Sequence, residues 1–273
     1  MSDSLTIYMF KANALWDLCL KGCILLSKKE SIMKKTLVYD LPTRIFHWLF
    51  VSLFVSSFLI AEFTDDESVL YPYHMILGLI LASAVILRIL WGIFGSTYAR
   101  FTSFDLNPKN LITYLQNIPK KNKLNIVGHN PASSYAAILM MICSLGLAFT
   151  GYQMGIKNDK DFYEDIHELL ANLFLALAIF HVIGIILHTV KYKDPIGLSM
   201  LNGKKSTDDK SPGITSTHPL VAFVFVLLIV GVGFNLLKNY NSNTGVLTLM
   251  GKTLTLGESD EKNGEEEEGY DDD

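Results

Sequence analysis

The sequence predicts an all-α integral membrane protein, built as a four-helix bundle with a fifth transmembrane helix. Half of its 273 residues are hydrophobic, and the mean hydropathy is positive at +0.31. The apolar residues are concentrated in segments of about 20 residues, the length at which a helix crosses a bilayer. The net charge of -4 is small, and nothing in the sequence indicates a nucleic-acid partner.

Residues 1–32 form an N-terminal extension to which we assign no function. Their apolar patch, residues 14–26, is interrupted by Asp17 and Lys21 and lacks a small-residue cleavage site, so it does not resemble a signal peptide. Met33 is followed directly by the basic stretch KKTLVYDLPTRIFHW. We therefore expect translation to begin at Met33.

A transmembrane domain is predicted over residues 33–205, followed by a linker over 206–217. The domain contains four apolar spans, which cover residues 45–63, 73–95, 131–155 and 165–190. A fifth span is predicted over 218–237, and a short surface helix over 108–116. The C-terminal segment 238–273 contains ten acidic residues in its last sixteen positions, and this composition predicts a disordered tail.

Charged residues in the loops orient the spans. The loop 96–130 and the linker are rich in Lys and Arg, whereas the loops 62–72 and 156–165 are acidic. Because cytoplasmic loops carry the excess of basic residues, the N-terminus is predicted to be cytoplasmic. Five spans then place the C-terminal tail on the opposite side of the membrane.

The fourth span carries three histidines, which are His167, His181 and His188. Fourteen residues separate the first two, which is about 21 Å along a helix with nearly the same facing direction. Ionisable side chains are costly inside a membrane and usually have a function there. Imidazoles at two depths indicate two metal centres, which in a membrane usually means haem. The alternative is that these histidines only form hydrogen bonds with neighbouring helices.

Two other spans supply histidines at matching depths. With the predicted orientation, His74 and His167 lie near the outer face, whereas His47 and His181 lie toward the inner face. Each pair could bracket one iron atom. Depth alone favours pairing His47 with His188, because each lies three residues inward from a basic residue, Arg44 or Lys191. This count is weak evidence, because helices often tilt and extend past the bilayer.

Small and basic residues lie near these candidate ligands. Gly78 and Gly184 follow the candidate ligands of their own helices by about one turn, on the same face, where a porphyrin edge needs space. Arg88 lies inside the second span, where it could bind a haem propionate or extend to lipid phosphates. Arg44, at the start of the first span, is a second candidate for propionate contact.

We assign no metal to the cysteines or to the two remaining histidines. Cys19, Cys23 and Cys143 are too few and too scattered for a disulfide framework, and no CxxCH motif for covalent haem attachment occurs. Any haem is therefore non-covalent. His129 and His218 lie in loops or at helix starts, and we interpret both as structural.

Several short stretches of this sequence also occur together in one known family. The sequence resembles the bacterial di-haem cytochrome b-561 family, which includes b-type cytochrome subunits of nickel-iron hydrogenases. The resemblance spans about residues 34–205. The matching stretches are RIFHW (44–48), YHMILG (73–78), RILWGIFGSTYARFTSF (88–104), GHNPASSYAAI (128–138), GYQ (151–153), HELLAN (167–172) and FHVIG (180–184).

The resemblance implies a four-helix bundle in the bacterial cytoplasmic membrane that holds two haem b groups. It implies His47 with His181 on the cytoplasmic haem and His74 with His167 on the periplasmic haem. The fourteen-residue spacing is the family's own, which selects His181 over His188. The N-terminal extension, the fifth span and the acidic tail depart from the family pattern.

The predicted function is electron transfer across the membrane, as part of a respiratory chain. Electrons would pass between the quinone pool and a periplasmic redox partner, and the acidic tail suggests a basic partner such as a c-type cytochrome. Three alternatives remain. The chain could anchor the catalytic subunit of a hydrogenase or related oxidoreductase, act alone as a quinone-linked oxidase, for example of superoxide, or be a haem-free transporter or sensor.

Overall fold

The computed structural model describes residues 34–117, 128–157, 159–192, 196–207 and 212–256. The N-terminal extension with its two cysteines, the lysine-rich part of the middle loop and the acidic end of the tail lie outside the described residues. Within the described ranges the α-helices are α1 (Leu41–Phe63), α2 (Tyr71–Phe94), α3 (Pro108–Asn117), α4 (Pro131–Gly155), α5 (Lys160–Tyr192), α6 (Ser199–Asn202) and α7 (Pro219–Asn239). The strands are β1 (Lys34–Leu37), β2 (Lys204–Thr207), β3 (Tyr240–Asn241), β4 (Val246–Leu249) and β5 (Lys252–Thr255).

Five of these helices are long and apolar enough to cross a membrane, namely α1, α2, α4, α5 and α7. Their mean hydropathies range from 1.8 for α1 and α4 to 2.8 for α7. Large apolar side chains stay exposed along α5 and α7, as expected for surfaces that contact lipid. The predicted all-α membrane bundle with a fifth helix is confirmed, and the predicted surface helix is α3.

The starts of the long helices follow from local sequence. Asp40 caps α1 by accepting a hydrogen bond from the backbone N–H of Thr43 at 2.9 Å. Asn130 caps α4 in the same way, because its side chain accepts a hydrogen bond from the backbone N–H of Ser133 at 2.7 Å. A proline follows within the first two positions of both helices, where its missing N–H costs no hydrogen bond. These caps fix where α1 and α4 enter the bundle.

The bundle consists of two closely packed helix pairs, α1 with α2 and α4 with α5. Helix α7 packs on the outside against α1 and α2. The main core joins the two pairs and α7, and its buried members are Phe46, Phe50, Leu53, Leu81, Ala84, Val85, Met141, Cys143, Phe174, Phe225 and Ile229. Helix α5 therefore lies against α4 along its length and meets α1 through aromatic side chains.

One end of the bundle, here called the β1 end, carries a small antiparallel sheet. Strands β1 and β2 pair with Lys35 opposite Ser206 and Thr36 opposite Lys205. Gly203 precedes β2 with φ of 77°, and its carbonyl accepts hydrogen bonds from the backbone N–H groups of Val38 and Tyr39. The start of α1, the end of α2 and the start of α4 all lie at this end.

The opposite end, here called the β4 end, carries a three-stranded antiparallel sheet in the order β3-β4-β5. Leu247 of β4 lies opposite Leu254 of β5, and neither side chain is exposed. Together with Leu256 they pack against Ile76 of α2 and Leu236 of α7. The sequence-based expectation of disorder from residue 238 onward is therefore wrong for residues 238–256.

The sheet at the β4 end should depend on the packing of Leu254, which lies against Gly155 at the end of α4. Replacing Leu254 by Ala removes buried methyl groups, and such changes typically cost about 2–5 kcal/mol. We expect faster amide hydrogen exchange in β4 and β5 of this variant. Met250→Ala, at a side chain that is 98% exposed, is the matched control and should leave exchange unchanged. Equal exchange in both variants would show that the sheet does not depend on this contact.

Candidate metal centres

Two histidine rings meet near the β4 end, between the two helix pairs. His74 lies in the first turn of α2 and His167 near the start of α5, and their ring centroids are 6.0 Å apart. A metal-bound imidazole nitrogen lies about 2.0 Å from the metal and about 1 Å from its ring centre, so rings on opposite sides of one metal have centroids about 6 Å apart. The observed separation fits one metal atom between the two rings.

The other ring nitrogen of His74 is fixed by Ser57 of α1. His74 Nδ1 lies 2.9 Å from the Ser57 carbonyl oxygen and 3.0 Å from Ser57 Oγ. A carbonyl oxygen can only accept, so the network assigns the proton to Nδ1. The Ser57 hydroxyl in turn donates to the His74 carbonyl at 3.1 Å. His74 Nε2 is then the unprotonated nitrogen, the form that binds a metal.

Thr150 of α4 binds the Nδ1 nitrogen of His167 in a similar way. Thr150 Oγ1 lies 2.8 Å from His167 Nδ1. The same hydroxyl lies 3.0 Å from the Gly146 carbonyl and 3.1 Å from the Leu147 carbonyl, so its single proton is directed to the helix backbone. Oγ1 therefore accepts from His167 Nδ1–H, and Nε2 is again the unprotonated nitrogen.

The second predicted pair, His47 and His181, lies toward the β1 end. Both side chains are half-buried and close enough to interact electrostatically. His181 also lines a cavity of about 480 Å³ between α3, α4 and α5, and His188 lines the same cavity two turns further along α5. His47 and His181 thus lie within electrostatic range of each other. Their pairing, and the choice between His181 and His188 as ligand, stay predictions.

An aromatic layer separates the two histidine pairs. Phe174 lies seven residues from both His167 and His181, so all three share one face of α5. Its ring is 1% exposed and stacks on Phe54 of α1 with centroids 3.9 Å apart. Phe50 stacks on the same ring at 5.6 Å.

Arg88 is buried in the last two turns of α2, with only 4% of its surface exposed. Its Nη2 donates to the Ala99 carbonyl at 2.9 Å, whereas its Nη1 is buried without a partner. The guanidinium lies over the ring of Phe101, 5.3 Å from the centroid. A buried guanidinium with an unused donor fits an anion next to Nη1, because carboxylates bind such groups strongly.

Among the described residues, Asp40 is the carboxylate that interacts with Arg88, but it already has other partners. Asp40 is fully buried and accepts hydrogen bonds from the backbone N–H of Thr43 at 2.9 Å, Trp91 Nε1 at 3.0 Å and Ser96 Oγ at 2.5 Å. It interacts with Arg88 electrostatically. The second predicted basic residue, Arg44, also has a buried atom without a partner, its Nε.

The two glycines singled out from the sequence both border open space. A side-chain Cβ built on Gly78 or on Gly184 would meet no atom within 4 Å. Both positions therefore leave room on their helices for a flat group. By contrast, a Cβ on Gly146 of α4 would come within 2.8 Å of Leu170, so that glycine serves helix packing.

The sequence analysis interpreted His129 as structural, and the structure places its ring in an aromatic cluster at the β1 end. Its ring packs against Phe104 at 4.5 Å and edge-on against Tyr39 at 5.2 Å. Burial, followed by the nearby positive charges of Arg88 and Lys205, lowers the pKa of His129 to about 3. The sequence hint to this position is that His129 directly precedes Asn130, the residue that caps α4, so its ring lies beside the start of that helix.

The described part of the chain contains no group of three or more His, Cys, Asp or Glu side chains that could hold a metal by themselves. Each candidate site instead offers two imidazoles. Two imidazoles suit the iron of a haem, whose porphyrin would supply the other ligands.

Comparisons with known proteins agree with these observations. The model of the prokaryotic cytochrome b561 family matches residues 38–203. A probable Ni/Fe-hydrogenase B-type cytochrome subunit from Rhizobium leguminosarum bv. viciae is 25% identical over 218 residues, which cover 63% of this chain and 90% of that protein. No solved structure matches the chain.

The hydrogen bond from His167 to Thr150 can be tested by replacing Thr150 with Val, which keeps the shape and removes the hydroxyl acceptor, so that His167 keeps only its interaction with the Leu147 backbone. Loss of such an orienting partner typically lowers metal affinity by about 10–100-fold, so we expect less bound iron per chain in the purified protein. Ser57→Ala is the matched control, because the Ser57 carbonyl still holds His74 Nδ1. Equal iron content in wild type and Thr150→Val would contradict the role of Thr150.

Proposed function

The chain belongs to the prokaryotic cytochrome b561 family of membrane electron-transfer proteins, and from this premise we propose that it carries electrons across the membrane through two b-type haems. The observation that carries this proposal is the His74–His167 pair, whose ring centroids are 6.0 Å apart. Both rings have Nδ1 bound to the protein and Nε2 left for a metal.

In this proposal His74 and His167 hold one haem iron, and His47 and His181 hold the other. Iron bound by two imidazoles has no open coordination position, so it exchanges single electrons without binding oxygen or a substrate. Ser57 and Thr150 keep the first pair of rings in the metal-binding tautomer. Phe174 and Phe54 fill the space between the two pairs and exclude water from it.

Other residues would bind the periphery of the cofactors. Arg88, through its unpaired Nη1, and Arg44, through its unpaired Nε, would bind propionates at the β1 end. The open space at Gly78 and Gly184 would accept the edges of the porphyrins. These assignments use buried donors and open surfaces that the protein alone leaves without partners.

We place the β1 end at the cytoplasmic face and the β4 end at the periplasmic face of a bacterial inner membrane. The loop of residues 64–70 at the β4 end contains three acidic residues and no Lys or Arg, whereas Arg44, Lys204 and Lys205 lie at the β1 end. This distribution follows the excess of basic residues in cytoplasmic loops.

Electrons would enter or leave through the quinone pool at one face and through a redox protein at the other. On the periplasmic side a c-type cytochrome is the proposed partner. A second candidate is the catalytic subunit of an oxidoreductase, favoured by the similarity to a hydrogenase cytochrome subunit.

A dithionite-reduced minus oxidised spectrum of the purified protein, with haem per chain, tests the proposal. We expect two b-type haems in wild type, one in His181→Ala and two in His188→Ala. The second variant is the matched control, since both histidines line the same cavity on the same helix. Loss of haem in His188→Ala alone would assign the ligand to His188, two turns further along α5, instead of His181. The absence of haem from wild type would overturn the proposed function.

A further inference from the structure

Buried polar atoms without a hydrogen-bond partner are concentrated at one end of the molecule. Among the described residues these atoms are Thr43 Oγ1, Arg44 Nε, Arg88 Nη1, His129 Nδ1 and Ser134 Oγ. All five residues belong to the β1 end or to the adjacent turns of α1, α2 and α4. Buried polar groups in native proteins are nearly always paired, so a cluster of exceptions indicates a missing ligand.

The side chains around His129 define the chemistry of that ligand. His129 interacts electrostatically with Arg88, Lys205, His181 and His47. Lys205 Nζ donates to the carbonyl of Gly128 at 2.7 Å, which holds the segment before α4 against β2. Among the described residues, the charged or titratable partners of His129 are therefore cationic or neutral.

A continuous aromatic wall connects His129 to Arg88. The ring of His129 packs on Phe104 at 4.5 Å, Phe104 meets Phe101 edge-on at 5.5 Å, and Arg88 lies over Phe101 at 5.3 Å. The buried carboxylate of Asp40, which interacts with Arg88, already accepts three hydrogen bonds. An additional carboxylate would satisfy both His129 Nδ1 and Arg88 Nη1.

We propose that His129 donates a hydrogen bond from Nδ1 to a carboxylate of the haem held by His47 and His181, beside Arg88. The inference rests on the proposed function and adds to it a cofactor-binding residue that is not an iron ligand. A neutral imidazole N–H offsets part of the carboxylate charge near the iron. Removing this donor leaves more negative charge there, which favours the oxidised iron and lowers its midpoint potential.

The test compares His129→Leu, which cannot donate, with His129→Gln, whose amide can. In purified protein we expect His129→Leu to lower the midpoint potential of one haem and to shift the resonance Raman band of the haem propionates. His129→Gln should lie closer to wild type in both measurements. His218→Asn is the matched control, because this histidine also lies at the β1 end, and Asn tolerates its positive φ of 53°.

The outcomes separate this inference from the proposed function. Two haems with unchanged potentials and an unchanged propionate band in His129→Leu would overturn the inference and leave the electron-transfer function standing. Loss of one haem from His129→Leu with retention in His129→Gln would support the donor role. Equal loss from both variants would assign His129 to packing and overturn the inference. Wild-type protein without haem would overturn the proposed function itself.

Discussion

Every imidazole inside the bundle needs a partner for each ring nitrogen, and this requirement joins the helices to one another. The hydrocarbon region offers no water to either nitrogen, so the protein or a cofactor must supply the partner. Ser57 of α1 holds His74 of α2, and Thr150 of α4 holds His167 of α5. The two closely packed helix pairs are thus the pairs joined by these hydrogen bonds. The remaining nitrogens require a partner between the pairs, where the two rings approach to 6.0 Å.

The two ends of the bundle meet this requirement differently. Near the β4 end the Nδ1 atoms of His74 and His167 have partners within the protein. At the β1 end the carboxylate of Asp40 has three donors, but Arg88 keeps a buried donor unused. A buried charge without full compensation costs several kcal/mol. An anionic group at the β1 end would therefore stabilise the folded chain as well as occupy a site, since ligands that bind only the folded state shift folding toward it.

Much of the fold could be predicted from the sequence because hydropathy and caps are local signals. The helix starts at Asp40 and Asn130 follow from a cap residue and a proline, and the two-depth histidine pattern follows from fourteen-residue spacing on one helix. Contacts between distant segments could not be predicted in this way. The environment of His129 depends on Tyr39, Phe104 and Arg88 coming together, which no periodicity encodes.

The sheet at the β4 end was missed for a different reason. The acidic residues of the tail dominated its composition, and the few leucines before them were too sparse to predict strands. The positive φ values of Gly245 and Gly251 match turns around β4, and Leu247 and Leu254 then face the bundle together. Their burial comes from packing against Ile76 of α2, a contact far away in the sequence.

The family match ends at residue 203, so the fifth helix and this sheet are additions to the family region. The added segment packs on Met75 and Ile76, directly after His74, and Tyr240 contacts Tyr73 with ring centroids 6.2 Å apart. One side of the first turn of α2 is therefore covered by residues that the family region does not supply. A redox partner that approaches His74 at this end would meet the sheet as well as the bundle. The extension is consequently placed to influence which partner binds there, while the histidine pairs themselves lie entirely within the family region.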